Sequence, residues 1–318
     1  MIRLGLIGCG EHAEGGHAIP LARYRAAHPE EIELAAATDL RLERARGFCS
    51  KYGFLTAYRD ADEMLRRENL DGCITVVPPE KIAELGIKLL KLGVPCVVEK
   101  PLGISLAEVN LLQNAAVTTR TLNMVSVNRR FMPFLNRAMD WVSSAGSLRY
   151  VRCTLARHER REPAFLWATA VHAVDTLRYI GGEVREFEVH ASSGNGLSST
   201  WYAVDLQFEN GTSGCIDVLP TTGMVEETHE LFGEGFRASA TCPFGALGWR
   251  GFRGGRLAAE ETAGGQPEDV LNGCYDEAST FIRALARKAA LTPSIADVAP
   301  SVALCLALAE KCKSAIYI

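Results

Sequence analysis

The chain opens on an apolar run, residues 2–7 (IRLGLI), that passes without a break into Gly8-Cys9-Gly10-Glu11-His12-Ala13. Such a run reads as a strand, and the glycines force a tight turn directly after it. A helical pattern follows around residues 21–28, and residues 33–39 (ELAAATD) read as a second strand. Strand, glycine turn, helix and strand make a βαβ unit, which commits the N-terminal part to a parallel sheet. Gly15, Gly16 and Pro20 interrupt the intervening helix, so it is expected to start late or to bend.

The alternation continues to residue 123. Helical patterns at 42–52, 63–68 and 83–92 and a helix starting at Ser105 separate apolar strands at 72–78, 94–101 and 121–128. Gly93 suits a helix C-terminus, and Ser105 with Glu108 forms a capping box. After Asn128 the period changes. Helices at 134–143 and 168–180 accompany alternating strands at 149–157, 184–191, 200–209, 212–220, 226–233 and 235–241. Period-two alternation with short glycine turns argues an antiparallel sheet. Residues 254–269 are polar and glycine-rich and read as a surface loop, and 275–318 as mostly helical. The expected class is α/β. A Rossmann-type doubly wound parallel sheet over 1–123 precedes an α+β domain over 124–318 with a large open antiparallel sheet and C-terminal helices.

Composition narrows the function. A net charge of −4 gives no broad basic face, so nucleic acid is not an expected partner. No apolar run approaches the roughly 18 residues of a membrane span, and the N-terminus has no signal-peptide pattern. Ten cysteines, none in a C-x-x-C pair, suggest buried free thiols in a reducing compartment, hence a cytoplasmic protein. No histidine, cysteine and acid cluster has metal-ligand spacing, so no metal is expected.

The glycine turn fits G-x-G-x-x-A in the context that gives that pattern its value, after a strand and before a helix. Gly8 permits the sharp turn, and Gly10 lets a pyrophosphate approach the backbone. The helix-start N–H groups then face the phosphates. Asp39, at the end of the second strand, can bond both ribose hydroxyls and repel a 2′-phosphate. That favours NAD, with NADP left possible because Arg41 and Arg44 lie just beyond. Glu99-Lys100-Pro101 ends an apolar strand, at the sheet edge where doubly wound folds keep their ligand crevice. A partly desolvated Lys100 can serve in proton transfer; a plain surface lysine is the other reading.

The glycine turn, Asp39, Glu99-Lys100-Pro101, Asn128-Arg129-Arg130-Phe131 and His172 together resemble the Gfo/Idh/MocA (glucose–fructose oxidoreductase, inositol dehydrogenase, rhizopine catabolism) oxidoreductase family. The resemblance covers essentially the whole chain and extends to Tyr275-Asp276-Glu277. It implies reversible hydride transfer between a nicotinamide and a hydroxyl or carbonyl of a sugar, polyol or related carbohydrate. It places Lys100 and His172 at the reacting carbinol as the catalytic pair. The residues assigned to the cofactor are Gly8, Gly10, Glu11, His12, Asp39, Arg41, Pro78, Glu99, Lys100, Asn128 and Arg129.

The chain departs from the family in three places. The family's aspartate, four residues before the histidine, is Ala168 here, and Val77 and Ile82 replace a threonine and a histidine. Asp175, one helical turn after His172, can orient the imidazole, bond a substrate hydroxyl, or only pack its helix. Arg129, Arg130 and the His158-Glu159-Arg160-Arg161 stretch can form a cationic wall for a substrate carboxylate or phosphate, or a solvated basic loop. Trp167 can stack on a sugar ring or be a buried aromatic. The substrate set is thus Arg130, His158, Trp167 and Asp175. A non-catalytic dinucleotide-binding regulator or sensor on the same fold is the alternative function, favoured by Ala168. An open sheet with an uncovered apolar face predicts a homodimer or homotetramer joined through the antiparallel sheet.

Overall fold

The computed structural model describes residues 1–162, 165–192 and 200–315. The chain divides into two compact units: residues 1–127 with 274–300, and residues 128–273 with the chain from 301 on.

The first unit holds six strands: β1 (Ile2–Ile7), β2 (Ile32–Thr38), β3 (Thr56–Tyr58), β4 (Gly72–Thr75), β5 (Cys96–Glu99) and β6 (Asn123–Ser126). Their order is β3-β2-β1-β4-β5-β6, and every pair is parallel. Strand order therefore reverses between β1 and β4, which opens a crevice beyond their carboxyl ends. The strands are buried almost throughout, as expected of a sheet covered on both faces. Ser105 caps the helix Leu106–Thr119 by accepting the Glu108 N–H, and the Glu108 carboxylate accepts the Ile104 N–H.

The second unit carries an eight-stranded sheet: β7 (Leu148–Ala156), β8 (Val184–Ser192), β9 (Trp201–Phe208), β10 (Ser213–Leu219), β11 (Glu226–Gly233), β12 (Phe236–Thr241), β13 (Gly248–Arg253) and β14 (Arg256–Thr262). The order is β14-β13-β12-β11-β7-β10-β9-β8. Every pair is antiparallel except β7 with β10, which run parallel. The helix Pro133–Ala145 packs Phe134, Leu135, Ala138 and Val142 onto Leu231, Ala238, Ala240 and Trp249 of the sheet's inner face.

Four expectations are corrected. The chain does not divide once at 123/124: residues 274–300 return to the first unit, where Phe281 and Leu285 of the helix Cys274–Arg287 lie against Gly72. Residues 254–269 are not a loop, because 256–262 form β14. Its side chains are exposed on both faces, so the apolar alternation that marks a strand is missing. The first helix does not start late but begins at Glu11, and the glycines are absorbed by a π turn over Glu14–Ala18. The strand expected over 121–128 ends at Ser126, and a 3-10 turn, Asn128–Phe131, follows. Two C-terminal helices, Cys274–Arg287 and Ile295–Ala315, account for the helical tail, whose residues 316–318 lie outside the described residues.

Candidate active site

In the first unit the expected cofactor residues gather at the carboxyl ends of β1, β2, β4 and β5. Gly8 has φ +96°, and a Cβ there would collide with the Val76 carbonyl oxygen; only glycine fits. A Cβ on Gly10 would meet nothing within 4 Å, so the backbone there is open to a close-approaching group. The helix begins at the next residue, Glu11, exposing its first N–H groups beside that opening. Asp39 accepts the Cys9 N–H at 3.2 Å and the Arg41 N–H at 2.9 Å. Its carboxylate is thereby pinned across from the glycine turn. The Arg44 guanidinium lies 3.4 Å from Asp39 Oδ2 and partly offsets its charge, while the Arg41 side chain is exposed. Pro78 stands exposed before the helix Pro79–Lys91. These features fit a dinucleotide: a glycine the turn demands, a bare backbone, and an anchored acid.

Glu99 ends β5 fully buried. Its Oε1 meets His17 Nε2 at 2.7 Å and His12 Nε2 at 3.1 Å, and its Oε2 accepts the Lys100 N–H at 3.2 Å. Burial works to raise the carboxyl pKa, but the two imidazoles, His12 foremost, hold it well below the usual carboxylate range. Lys100 is half-buried. His17 was not singled out from the sequence; the Gly15-Gly16 interruption just before it was the available signal.

In the second unit the 3-10 turn sends two adjacent arginines to different acids. Arg129 bonds Glu227 twice, at 2.8 and 3.2 Å, and Arg157 pairs with the same carboxylate. All three side chains are buried. The Glu227 carboxyl, which burial alone would raise, is drawn down to about 2 by Arg129 and Arg157. Arg129 Nη1 lies 3.0 Å from Asn128 Oδ1 and 3.5 Å from His172 Nε2, and Asn128 Nδ2 donates to the Asn272 carbonyl. Phe244 lies under both guanidiniums, 5.7 Å from that of Arg129 and 5.0 Å from that of Arg157. His229, two residues along β11, is buried and pushed down to about 4 by desolvation.

Arg130 bonds Asp175 through two parallel contacts, 2.8 and 2.7 Å, and Ser301 donates to the same carboxylate at 2.7 Å. Asp175 is only 1% exposed. Of the three readings held for it, packing its helix through an ion pair matches these bonds. The Arg129 and Arg130 guanidiniums of the expected cationic wall are engaged by carboxylates of this unit. His158 is exposed just beyond β7, and Trp167 is half-buried in the short helix Phe165–Ala168. Glu227, Arg157 and His229 escaped the sequence reading. The signal was present: 227, 229 and 231 share one buried face of β11, and two of the three are not apolar.

Residues 2–128 match the family model for the oxidoreductase family with an NAD-binding Rossmann fold. The chain is 28% identical over 243 residues to myo-inositol 2-dehydrogenase of Thermotoga maritima, covering 68% of each. Among solved structures, a dehydrogenase from Clostridium difficile aligns over 98% of this chain and 99% of its own, with TM-score 0.85 and 18% identity. A levoglucosan dehydrogenase, determined with NADH and levoglucosan, aligns over 98% and 97% with TM-score 0.82 and 18% identity. At these identities the two structures speak for the fold.

Proposed function

We propose, from the match of residues 2–128 to the oxidoreductase family's NAD-binding Rossmann model, that this chain is a Gfo/Idh/MocA oxidoreductase and transfers hydride reversibly between NAD and a hydroxyl or carbonyl carbon of a sugar, polyol or related carbohydrate. Its relatives include proteins named for myo-inositol and levoglucosan. A bound nicotinamide supplies the hydride acceptor. The chain's own residues do the rest. Gly8 and Gly10 open the backbone to the pyrophosphate, and Asp39 takes the adenosine ribose. The other assigned cofactor residues, from Glu11 and His12 to Asn128 and Arg129, remain in that role within their own units. Loss of hydride from carbon requires the hydroxyl to lose its proton, which Lys100 accepts, with His172 sharing that duty. Arg130, His158 and Trp167 stay as substrate-side candidates, while Asp175 acts through Arg130.

The observation that carries this reading is Lys100, set directly after a buried, ionised Glu99 at the end of β5, in the sheet whose β1 ends in the glycine turn. The test is NADH formation against a panel of polyols and sugars with wild-type and Lys100→Ala protein. Turnover should fall by roughly two to four orders of magnitude, the usual range for a positioned acid or base, with NADH affinity little changed. Ala168 favours the regulator reading, and NADH binding without turnover of any substrate would support it over catalysis.

A homodimer or homotetramer through the antiparallel sheet belongs to the same proposal. The sheet's outer face is not the plain apolar surface expected. Exposed Tyr150, Trp201 and Leu257 share it with cross-strand pairs Arg152–Asp217 and Arg237–Glu230. A mixed aromatic and charged surface suits a specific self-contact. Light scattering at micromolar concentration should give a multiple of the 34.5 kDa chain mass; a monomer mass would refute the assembly. All ten cysteines are free and buried, which supports a reducing, cytoplasmic setting.

A further inference from the structure

The first helix leaves α-geometry in one place. Over Glu14–Ala18 the backbone widens into a π turn, and the N–H of Ile19 bonds the carbonyl of Glu14. In an α-helix, side chains five residues apart point about 140° away from each other. A turn closed by i→i+5 bonds brings them to one side. His12 and His17 are five apart, and both Nε2 atoms reach the same oxygen, Glu99 Oε1. The sequence permits the widened turn through Gly15 and Gly16, where a Cβ would meet no close neighbour, so packing does not demand glycine there. The glycines lower the resistance of the backbone to an irregular turn.

Glu99 uses its second oxygen on the N–H of the very next residue, Lys100. A carboxylate gripped on one oxygen by two imidazoles and on the other by that amide fixes where the chain leaves β5. The same helix starts directly after Gly10, beside the opening read as the pyrophosphate seat. We propose that His17, with His12 beside it, is a positioning residue for Lys100, acting through the Glu99 carboxylate. The proposal rests on the reading of Lys100 as the proton carrier. It makes the π turn a mechanical link within the first unit: the helix that faces the phosphates and the residue that handles the proton share one anchor. π turns inside α-helices recur at functional sites, in keeping with such a role.

The test reads Lys100 directly. Trace labelling with acetic anhydride, followed by peptide mass spectrometry, reports the exposure and basicity of each lysine amine with no substrate present. Three variants separate the cases. His17→Ala removes the contact, His17→Asn keeps a polar group too short to reach Glu99, and His17→Gln keeps a donor of suitable reach. In His17→Ala and His17→Asn the labelling of Lys100 should change severalfold relative to Lys81 and Lys91 in the same digest. On the polyol that wild type turns over fastest, kcat should fall roughly ten- to a hundredfold while KM changes little, as expected when a reacting group is misplaced. His17→Gln should restore most of both. Folded His17→Ala with wild-type Lys100 labelling overturns the proposal. If that variant does not fold, equal Lys100 labelling in His17→Asn and His17→Gln overturns it. A fully active Lys100→Ala would instead refute the proton-carrier reading, and the labelling would still report whether His17 places Lys100.

Discussion

Asp175 shows how a residue's neighbours decide its role. From the sequence it stands one turn after His172, a spacing that suggests a partner for the imidazole. Its carboxylate instead receives both arms of Arg130, from a turn 45 residues earlier in the chain, and the Ser301 hydroxyl. Asp175→Asn removes the charge and leaves a nearly buried guanidinium uncompensated, at a cost on the order of 3–5 kcal/mol. Thermal unfolding should shift down by many degrees, while the pH dependence of turnover keeps its wild-type shape. A shifted pH profile at unchanged melting temperature would return Asp175 to the reaction. The glycine turn, Asp39 and Lys100 were legible because each depends on its place at the end of a single strand. The bonds of Arg129 and Arg130 were not, because their acids come from β11 and from a helix, and only the tertiary register brings them together.

At the scale of the element, β11 is sensitive to pH. Its inward face reads Glu227, His229, Leu231, so two titratable groups sit where a strand normally places apolar ones. His229 is lowered from 6.5 to about 4. Between those values the unfolded chain binds a proton that the folded chain does not, so stability falls as pH drops from about 6.5 to about 4. Glu227, lowered from 4.5 to about 2, adds a second loss as pH falls through that lower range. The histidine step is worth on the order of 3 kcal/mol. Melting temperature followed from pH 7 downward should decline in this window, and His229→Gln should flatten the upper part of the decline. An unchanged slope in the variant would place the acid sensitivity elsewhere. The same strand explains what patterning can reveal. Alternation marked β7 to β12 as strands, whichever residues filled the inward positions. It missed β13, and also β14, whose side chains are exposed on both faces, and the three-residue β3, too short to show a period.

At the scale of the molecule, the first unit is discontinuous in sequence. Patterning found five of the six parallel strands, yet nothing in a helical tail announces which sheet it will cover. The sign lies at Gly72: any side chain there would collide with Phe281 and Leu285, so β4 is shaped to receive the helix Cys274–Arg287. Val125 likewise donates its N–H to the Pro293 carbonyl, and the Ser126 hydroxyl donates to Glu277. A fragment of residues 1–127 should therefore expose apolar surface and bind a hydrophobic dye, and a peptide of residues 274–300 added in trans should suppress that binding. A fragment that folds cooperatively and leaves the dye unbound would show the helix to be dispensable. During synthesis on the ribosome, the N-terminal sheet emerges long before the helix that covers it, while the whole eight-stranded sheet is still being made. The nascent sheet must spend that interval with an uncovered flank, so a stall or truncation before Cys274 leaves a chain that the cell's chaperones and proteases would treat as unfinished.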